Sequence, residues 1–473
     1  MSHTTPESQP KAQPATTAKR GIDILSGSLW TAIPLFALPV AATSILEQLS
    51  NLIGVVMIGQ FSGDAGSLGM AAVGSNTPIA SLILNLFIGL SLGTNVVIAH
   101  AIGRGDHTTV ERATHTSVAM AGAGIAVTII FEILAEPLLH LLNVPPETLP
   151  SALLYLRVYL LGMPSILLYN FEAAIFRSVG ITKMPLQALA LSSVLNILLD
   201  LLFIPVFGWG VAGCALATVL SYTTSASVLF FRLLRAEKTI RITPSRIRID
   251  VGVLRSIVKI GLPAGIQSSV FAVANIVIQA CINSLGTEAM AASSAAMSLE
   301  YVCYNLLNSF SQACTTFVGQ NSGARQIDRC RKTLKVCLIE DGIIDIAMIT
   351  LMLLLGRQIL TLFNGADPQV VEIGYLRVAT IFPAYTFSMV YENLSGYLRG
   401  FGISLLPAVL TTIGVCGIRL LWVQFVFPAS PTFLTVMLVY PISLGATCLM
   451  IIAAVLWCRP AKGGRRLAGQ AAR

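Results

Sequence analysis

The 473-residue chain is 55% hydrophobic and 11% charged, with a mean hydropathy of +0.78 and a net charge of +8. Soluble domains carry about 25% charged residues, so this composition excludes a water-facing surface of ordinary size and fits a polytopic membrane protein. The net positive charge is not a nucleic-acid footprint, because the basic residues sit in short connections between apolar runs.

Residues 1–28 are rich in Pro, Thr, Gln and Ala without apolar periodicity and read as a disordered cytoplasmic tail. No signal peptide is expected, since the first apolar run is too long and lacks a small-residue cleavage site. Six spans follow near 29–60, 68–102, 108–141, 148–178, 182–206 and 208–235. After a basic linker at 236–251, six more lie near 252–285, 288–322, 328–362, 368–400, 404–428 and 431–458, and 459–473 form a basic tail. Several spans exceed the roughly 20 residues that cross a bilayer, which implies tilt, kinks or extension into water. Pro34, Pro39, Pro164, Pro185, Pro205, Pro263, Pro383 and Pro407 are the candidate bends.

Of the 30 Lys and Arg residues, 26 fall in the tails and the connections of one side; Arg157, Arg357, Arg377 and Arg419 fall inside spans. That asymmetry places both termini in the cytoplasm. The nine cysteines show no metal-site spacing and read as buried packing residues.

The two halves repeat. Leu38-Pro39 matches Leu262-Pro263 at an offset of 224, Tyr155-Leu156-Arg157-Val158 matches Tyr375-Leu376-Arg377-Val378 at 220, and Glu172 matches Glu392. Arg177 pairs with Arg399 at 222. Each half holds an even number of spans, so the halves are parallel repeats related by an axis along the membrane normal. The expected fold is an all-α protein of twelve transmembrane helices, in lobes 29–235 and 252–458 around a central cavity.

The fifth span carries Asn196 and Asp200 four residues apart, on one helix face. A carboxylate at depth in an apolar span is costly and marks a functional site. The plainer reading is a polar pair holding helices together, worth about 0.6 kcal/mol. The repeat weighs against it, since Trp422 and Ile418 stand at the equivalent places in the second half.

Three runs, NLIGVVMIGQFSGDAGSLGMAAVG, VLNILLDLLFIPVFGWGVAGCALATVLS and IGLPAGIQSSVFAVANIVIQ, resemble the multidrug and toxic compound extrusion (MATE) transporters, and the likeness extends over about residues 29–458. The resemblance implies a twelve-helix exporter that exchanges an inward cation gradient for outward movement of organic, often cationic, compounds. It also implies a coupling site at Asn196, Asp200 and Thr218. The chain departs from the family where a first-helix acid often stands, for that place is Gly54; Asn51 and Glu47 are the nearest polar neighbours inward. One acid among neutral partners favours H⁺ over Na⁺, although Na⁺ at Asp200 would also suit oxygen ligands.

Asn51 is therefore assigned to the cation site, and Glu47, Glu300, Tyr304, Gln267, Asn275 and Gln279 to the substrate cavity. Glu300 and Tyr304, one turn apart, would receive a cationic aromatic compound. Glu172 with Arg177, and Glu392 with Arg399, read as local ion pairs. Asp341 and Asp345 share a face of the ninth span. Gly208-x-Gly210-x-x-Gly213 imitates a dinucleotide fingerprint but connects two spans, and no catalytic motif appears, so an enzyme is not expected.

The expected partners are a small organic substrate, H⁺ or Na⁺ and the lipid bilayer, with no cofactor and no nucleic acid. The chain is expected to work as a monomer in the plasma membrane. The alternative is a flippase for lipid-linked precursors, which shares the two-lobe plan.

Overall fold

The computed structural model describes residues 21–61, 66–364 and 368–460; the basic residues expected at 461–473 and the tail at 1–20 lie outside them. The described residues fold into twelve helical rods. In the first half these are α1 (Leu29–Phe61), α2 (Gly66–Gly103), α3 (His107–Leu141), α4 (Leu149–Leu161 and Met163–Ser178), α5 (Lys183–Val206) and α6 (Gly210–Leu234). The second half holds α7 (Val251–Asn283), α8 (Thr287–Gly323), α9 (Ile327–Asn364), α10 (Pro368–Gly400), α11 (Leu405–Ala429) and α12 (Phe433–Cys458).

Eight rods are individually long and apolar enough to cross a membrane, or nine with the bent α4. The long rods α8, α9 and α10 fall outside that set and bury polar groups inside the lobe, among them Glu300, Asp341, Asp345, Arg377 and Glu392. Interior helices of a bundle can carry such groups because protein, not lipid, surrounds them. Leu191, Val194, Leu198, Ile343, Ile346 and Leu354 instead project from the surface, as a lipid-facing belt requires.

The bends follow local chemistry. α4 breaks by 48° at Gly162, two residues before Pro164. α5 opens into wide π turns over Leu202–Val206, around Pro205, which has no N–H to give to the ladder. α1, α7 and α10 run through Pro34 and Pro39, Pro263 and Pro383.

Separate cores fill the two halves, but the first rod of each crosses over. The start of α1 packs with α8 and α9 of the other half, Phe36 meeting Phe317 edge to face with ring centroids 5.6 Å apart. Val253, Ile257 and Ile260 of α7 join the first core.

The lobes meet along the basic ends of α2, α7 and α8, where glycines let backbones touch. A Cβ on Gly89 would stand 2.2 Å from the Gly265 nitrogen, and one on Gly93 2.3 Å from the Ile257 carbonyl oxygen. One on Gly103 would stand 1.9 Å from the Gln320 carbonyl oxygen. Asn95 and Thr316 hydrogen-bond across this seam at 3.1 Å, and Gln320 donates to the Ser178 carbonyl at 2.6 Å. Gly89→Val is therefore expected to pry the lobes apart at the basic end. Thiol labelling of a cysteine placed at Ser268 should then speed up from that side; unchanged labelling would show the seam tolerates the branch.

Residues 21–28 correct the expected extent of the disordered tail. The Ile22 amide donates to the Gly180 carbonyl (3.2 Å), Arg329 Nε donates to the Ile24 carbonyl (3.1 Å), and Ile24 is buried. A buried isoleucine and the Ile22 and Ile24 backbone groups tie this segment to the basic ends of both lobes, a signal that tail composition conceals.

Candidate coupling site and central cavity

α5 turns Ser192, Ser193, Asn196 and Asp200 inward and leaves Leu191, Val194, Leu198 and Leu201 outside, as a helical period of 3.6 demands. Asp200 is 0% exposed and stands two residues before the π segment. Neither of its carboxylate oxygens has a hydrogen-bond partner among the described residues, and neither has the Asn196 Nδ2. Gly54 of α1 stands opposite it: a Cβ there would lie 3.6 Å from Asp200 Oδ2 and 3.0 Å from Cys214 Sγ. The α1 position that lacks an acid thus faces Asp200 directly.

A cavity with about 310 Å³ of empty space adjoins this site, lined by Glu47, Asn51, Ser192, Asn196, Thr218 and Tyr222 among others. The Thr218 hydroxyl donates to the Cys214 carbonyl (3.0 Å), which leaves its oxygen lone pairs as acceptors. Asn51, Asn196 and Thr218, expected around one cation, do share this cavity. Asp200 is not on its wall and makes no hydrogen bond to Asn196 or Thr218, so the expected four-residue cluster does not close on a single point. The four-residue step along α5 carries Asp200 away from the basic end while keeping it on the same face.

The second cavity, with about 930 Å³ of empty space that includes open solvent, lies between the lobes. Its walls include Glu47, Asn95, Arg177, Asn308, Gln312 and Arg399. Glu47, expected in the substrate cavity, lines both spaces.

The remaining substrate assignments need correction. Glu300 is held by Arg377 in a two-pronged ion pair, Nε to Oε1 at 2.5 Å and Nη2 to Oε2 at 2.9 Å, and Arg377 also donates to Ser293 Oγ at 2.6 Å. Both are buried in the second lobe, so Glu300 is no free receptor for a cationic compound. Tyr304 is not on the wall of the cavity between the lobes. Gln267 accepts from Arg399 (3.0 Å) and Asn275 from Arg419 (2.8 Å), while Gln279 donates to Asn283 (2.8 Å) on an exposed face. The physical reason is common to Glu300, Gln267 and Asn275: a buried guanidinium requires acceptors and takes a neighbouring acid or amide.

The two expected local ion pairs divide. Arg399 lies 3.9 Å from Glu392. Glu172 is 0% exposed with both oxygens unpartnered, and Arg177 instead donates to Gln312 of the other lobe (3.3 Å). Asp341 and Asp345 accept from Asn393 (2.6 Å) and Thr386 (2.7 Å), and each retains one unpartnered oxygen. Among the described residues, no group of three or more His, Cys, Asp or Glu is arranged to hold a metal ion.

Sequence reading missed the cavity role of Arg177 and Arg399. Their match in the repeat was the available signal, since symmetric residues near the lobe interface face one shared space.

The MatE family model matches residues 39–202 and 263–423. The probable multidrug resistance protein YoeA of Bacillus subtilis (strain 168) is 26% identical over 419 residues, covering 86% of this chain and 88% of that protein. The probable multidrug resistance protein NorM of Thermotoga maritima is 27% identical over 392 residues, covering 81% of this chain and 82% of that protein. A solved MOP superfamily transporter from Pyrococcus furiosus superimposes with a TM-score of 0.84 at 23% identity, over 95% of this chain and 100% of the other.

Proposed function

Because the chain belongs to the MatE family, we propose that it is a cation-coupled antiporter that exports small organic compounds by alternating access. The single observation that carries the coupling is Asp200, a fully buried carboxylate whose two oxygens have no partner among the described residues. An ionised carboxylate in that position is costly, so binding a cation there is favourable and changes the charge of α5. The proton suits the site better than Na⁺, since Asn196 and Thr218 make no hydrogen bond to Asp200 and no set of oxygens closes around one point.

Orientation comes from the charge bias, which assigns the basic end, with both termini, to the cytoplasm. The glycine seam then closes the cytoplasmic side, and a cation arriving from outside reaches Asp200. Neutralising Asp200 removes the cost of enclosing it, and the lobes rock to the opposite state about the crossed helices α1 and α7. The driving force is about 2.3 kcal/mol per charge for each 100 mV, plus the concentration gradient.

Cells expressing the chain are expected to accumulate less of an exported dye than cells without it, and an uncoupler should abolish the difference. A difference that survives both the uncoupler and removal of Na⁺ would rule out cation coupling.

A further inference from the structure

The central cavity is expected from the sequence to receive organic cations, yet its charged walls tell otherwise. Arg177 and Arg399 come from equivalent places in the two repeats, one per lobe, and both line the same 930 Å³ space. Glu47 is the one acidic residue on those walls, and the other polar lining groups are neutral amides and hydroxyls such as Asn95, Asn170 and Thr315.

Neither arginine is fully engaged. Arg177 has one hydrogen-bond acceptor, the neutral Gln312 Oε1 at 3.3 Å; the wall's one acid, Glu47, interacts with it through charge without a hydrogen bond, and Glu172 on its own helix keeps both oxygens unpartnered. Arg399 gives one nitrogen to Gln267 Oε1 at 3.0 Å, stands 3.9 Å from Glu392, and keeps its Nε without a partner although the residue is buried. The contrast with Arg377 is direct. That arginine, at a symmetric place in another pair, spends its guanidinium on Glu300 and Ser293 and is not on the wall of this cavity.

Guanidinium groups donate in a planar fork matched to carboxylate and phosphate oxygens. Two of them, one carried by each lobe and both on the wall of one cavity between the lobes, form a receptor for an anionic group. The structure assigns to this cavity a soluble organic compound bearing a carboxylate or phosphate, held between Arg177 and Arg399. The assignment rests on the export reading above and fixes the charge class that reading leaves open. Because the arginines belong to different lobes, rocking changes their separation and so the grip on a two-pronged anion.

The probes are a matched pair of dyes with one ring system and opposite charge, carboxyfluorescein and rhodamine 6G, titrated against the full-length detergent-solubilised protein by fluorescence polarisation. Carboxyfluorescein is expected to bind, with a Kd raised about tenfold by Arg177→Gln and again by Arg399→Gln. Arg177→Lys should fall between, because it keeps the charge and loses the fork. Arg177, half-buried and tied to one amide, is the safer substitution for folding, and an unchanged gel-filtration profile establishes it. Binding of rhodamine 6G but not carboxyfluorescein, or equal carboxyfluorescein affinity in a folded Arg177→Gln, overturns the assignment. If either result accompanies intact uncoupler-sensitive dye export, only the charge class falls; loss of that export in the wild type would instead remove the antiport reading.

Discussion

Asp200→Asn is expected to lower cation-driven export by about tenfold or more, to the level of membranes lacking the protein, while leaving the amount of folded protein unchanged. The expectation has two halves with separate physical origins. Asparagine has nearly the shape of aspartate, and neither Asp200 oxygen accepts a hydrogen bond among the described residues, so the exchange breaks no hydrogen bond. It also removes the carboxylate that faces Gly54, where an acid on α1 would have offered a second. Initial efflux rates with matched gel-filtration profiles read both halves at once. Asn196→Ala and Thr218→Ala should reduce export less, since neither side chain is bonded to Asp200 and the Thr218 hydroxyl is committed to its own helix.

The second large effect concerns stability rather than transport. Arg377→Met leaves Glu300 charged and unpaired inside the second lobe, which costs about 3–5 kcal/mol. A clear drop in the thermal midpoint of the purified protein is the expected result. The double variant Arg377→Met with Glu300→Gln should recover most of it, because no buried charge then lacks its partner. Were Glu300 a receptor for the exported compound, Glu300→Gln alone would alter export at constant thermal midpoint. The ion pair requires the opposite, a loss of stability first.

These two residues also mark what the sequence carried and what it could not. The rods were legible because apolar spans announce themselves by length, and the repeat fixed their pairing into lobes. Asn196, Thr218 and Asn51 reach one cavity because helix periodicity and short connections determine which faces meet. The fate of Glu300 was not legible. Its partner lies 77 residues away, and the partners of Gln267 and Asn275 lie 132 and 144 residues away. No local period reports which of several buried arginines will claim a given acid, because the choice is made by packing of α8, α10, α11 and α7. For the same reason Glu172, five residues from Arg177, was expected to pair with it, while the folded chain turns Arg177 toward Gln312 of the other lobe. Separations of five along a helix point side chains apart, which the expectation of a local pair overlooked.

Glu47 ties the two cavities together. It is the one acid on the wall of the space that holds Asn51, Asn196 and Thr218 and also on the wall of the space that holds Arg177 and Arg399. In the proposed cycle a cation near Asn51 and a compound between the arginines would share this boundary, and each would alter the field at the other across a single side chain.

The most direct measurement follows protons and substrate together in liposomes containing the purified protein, with Na⁺ absent and the membrane potential clamped. A dye inside the vesicles reads pH while uptake of the transported compound is timed. Under an imposed pH gradient, proton movement opposite to the compound, present in the wild type and absent in Asp200→Asn, is the expected result. Proton-coupled exchange that persists unchanged in a folded Asp200→Asn would contradict the assignment of Asp200 as the coupling group.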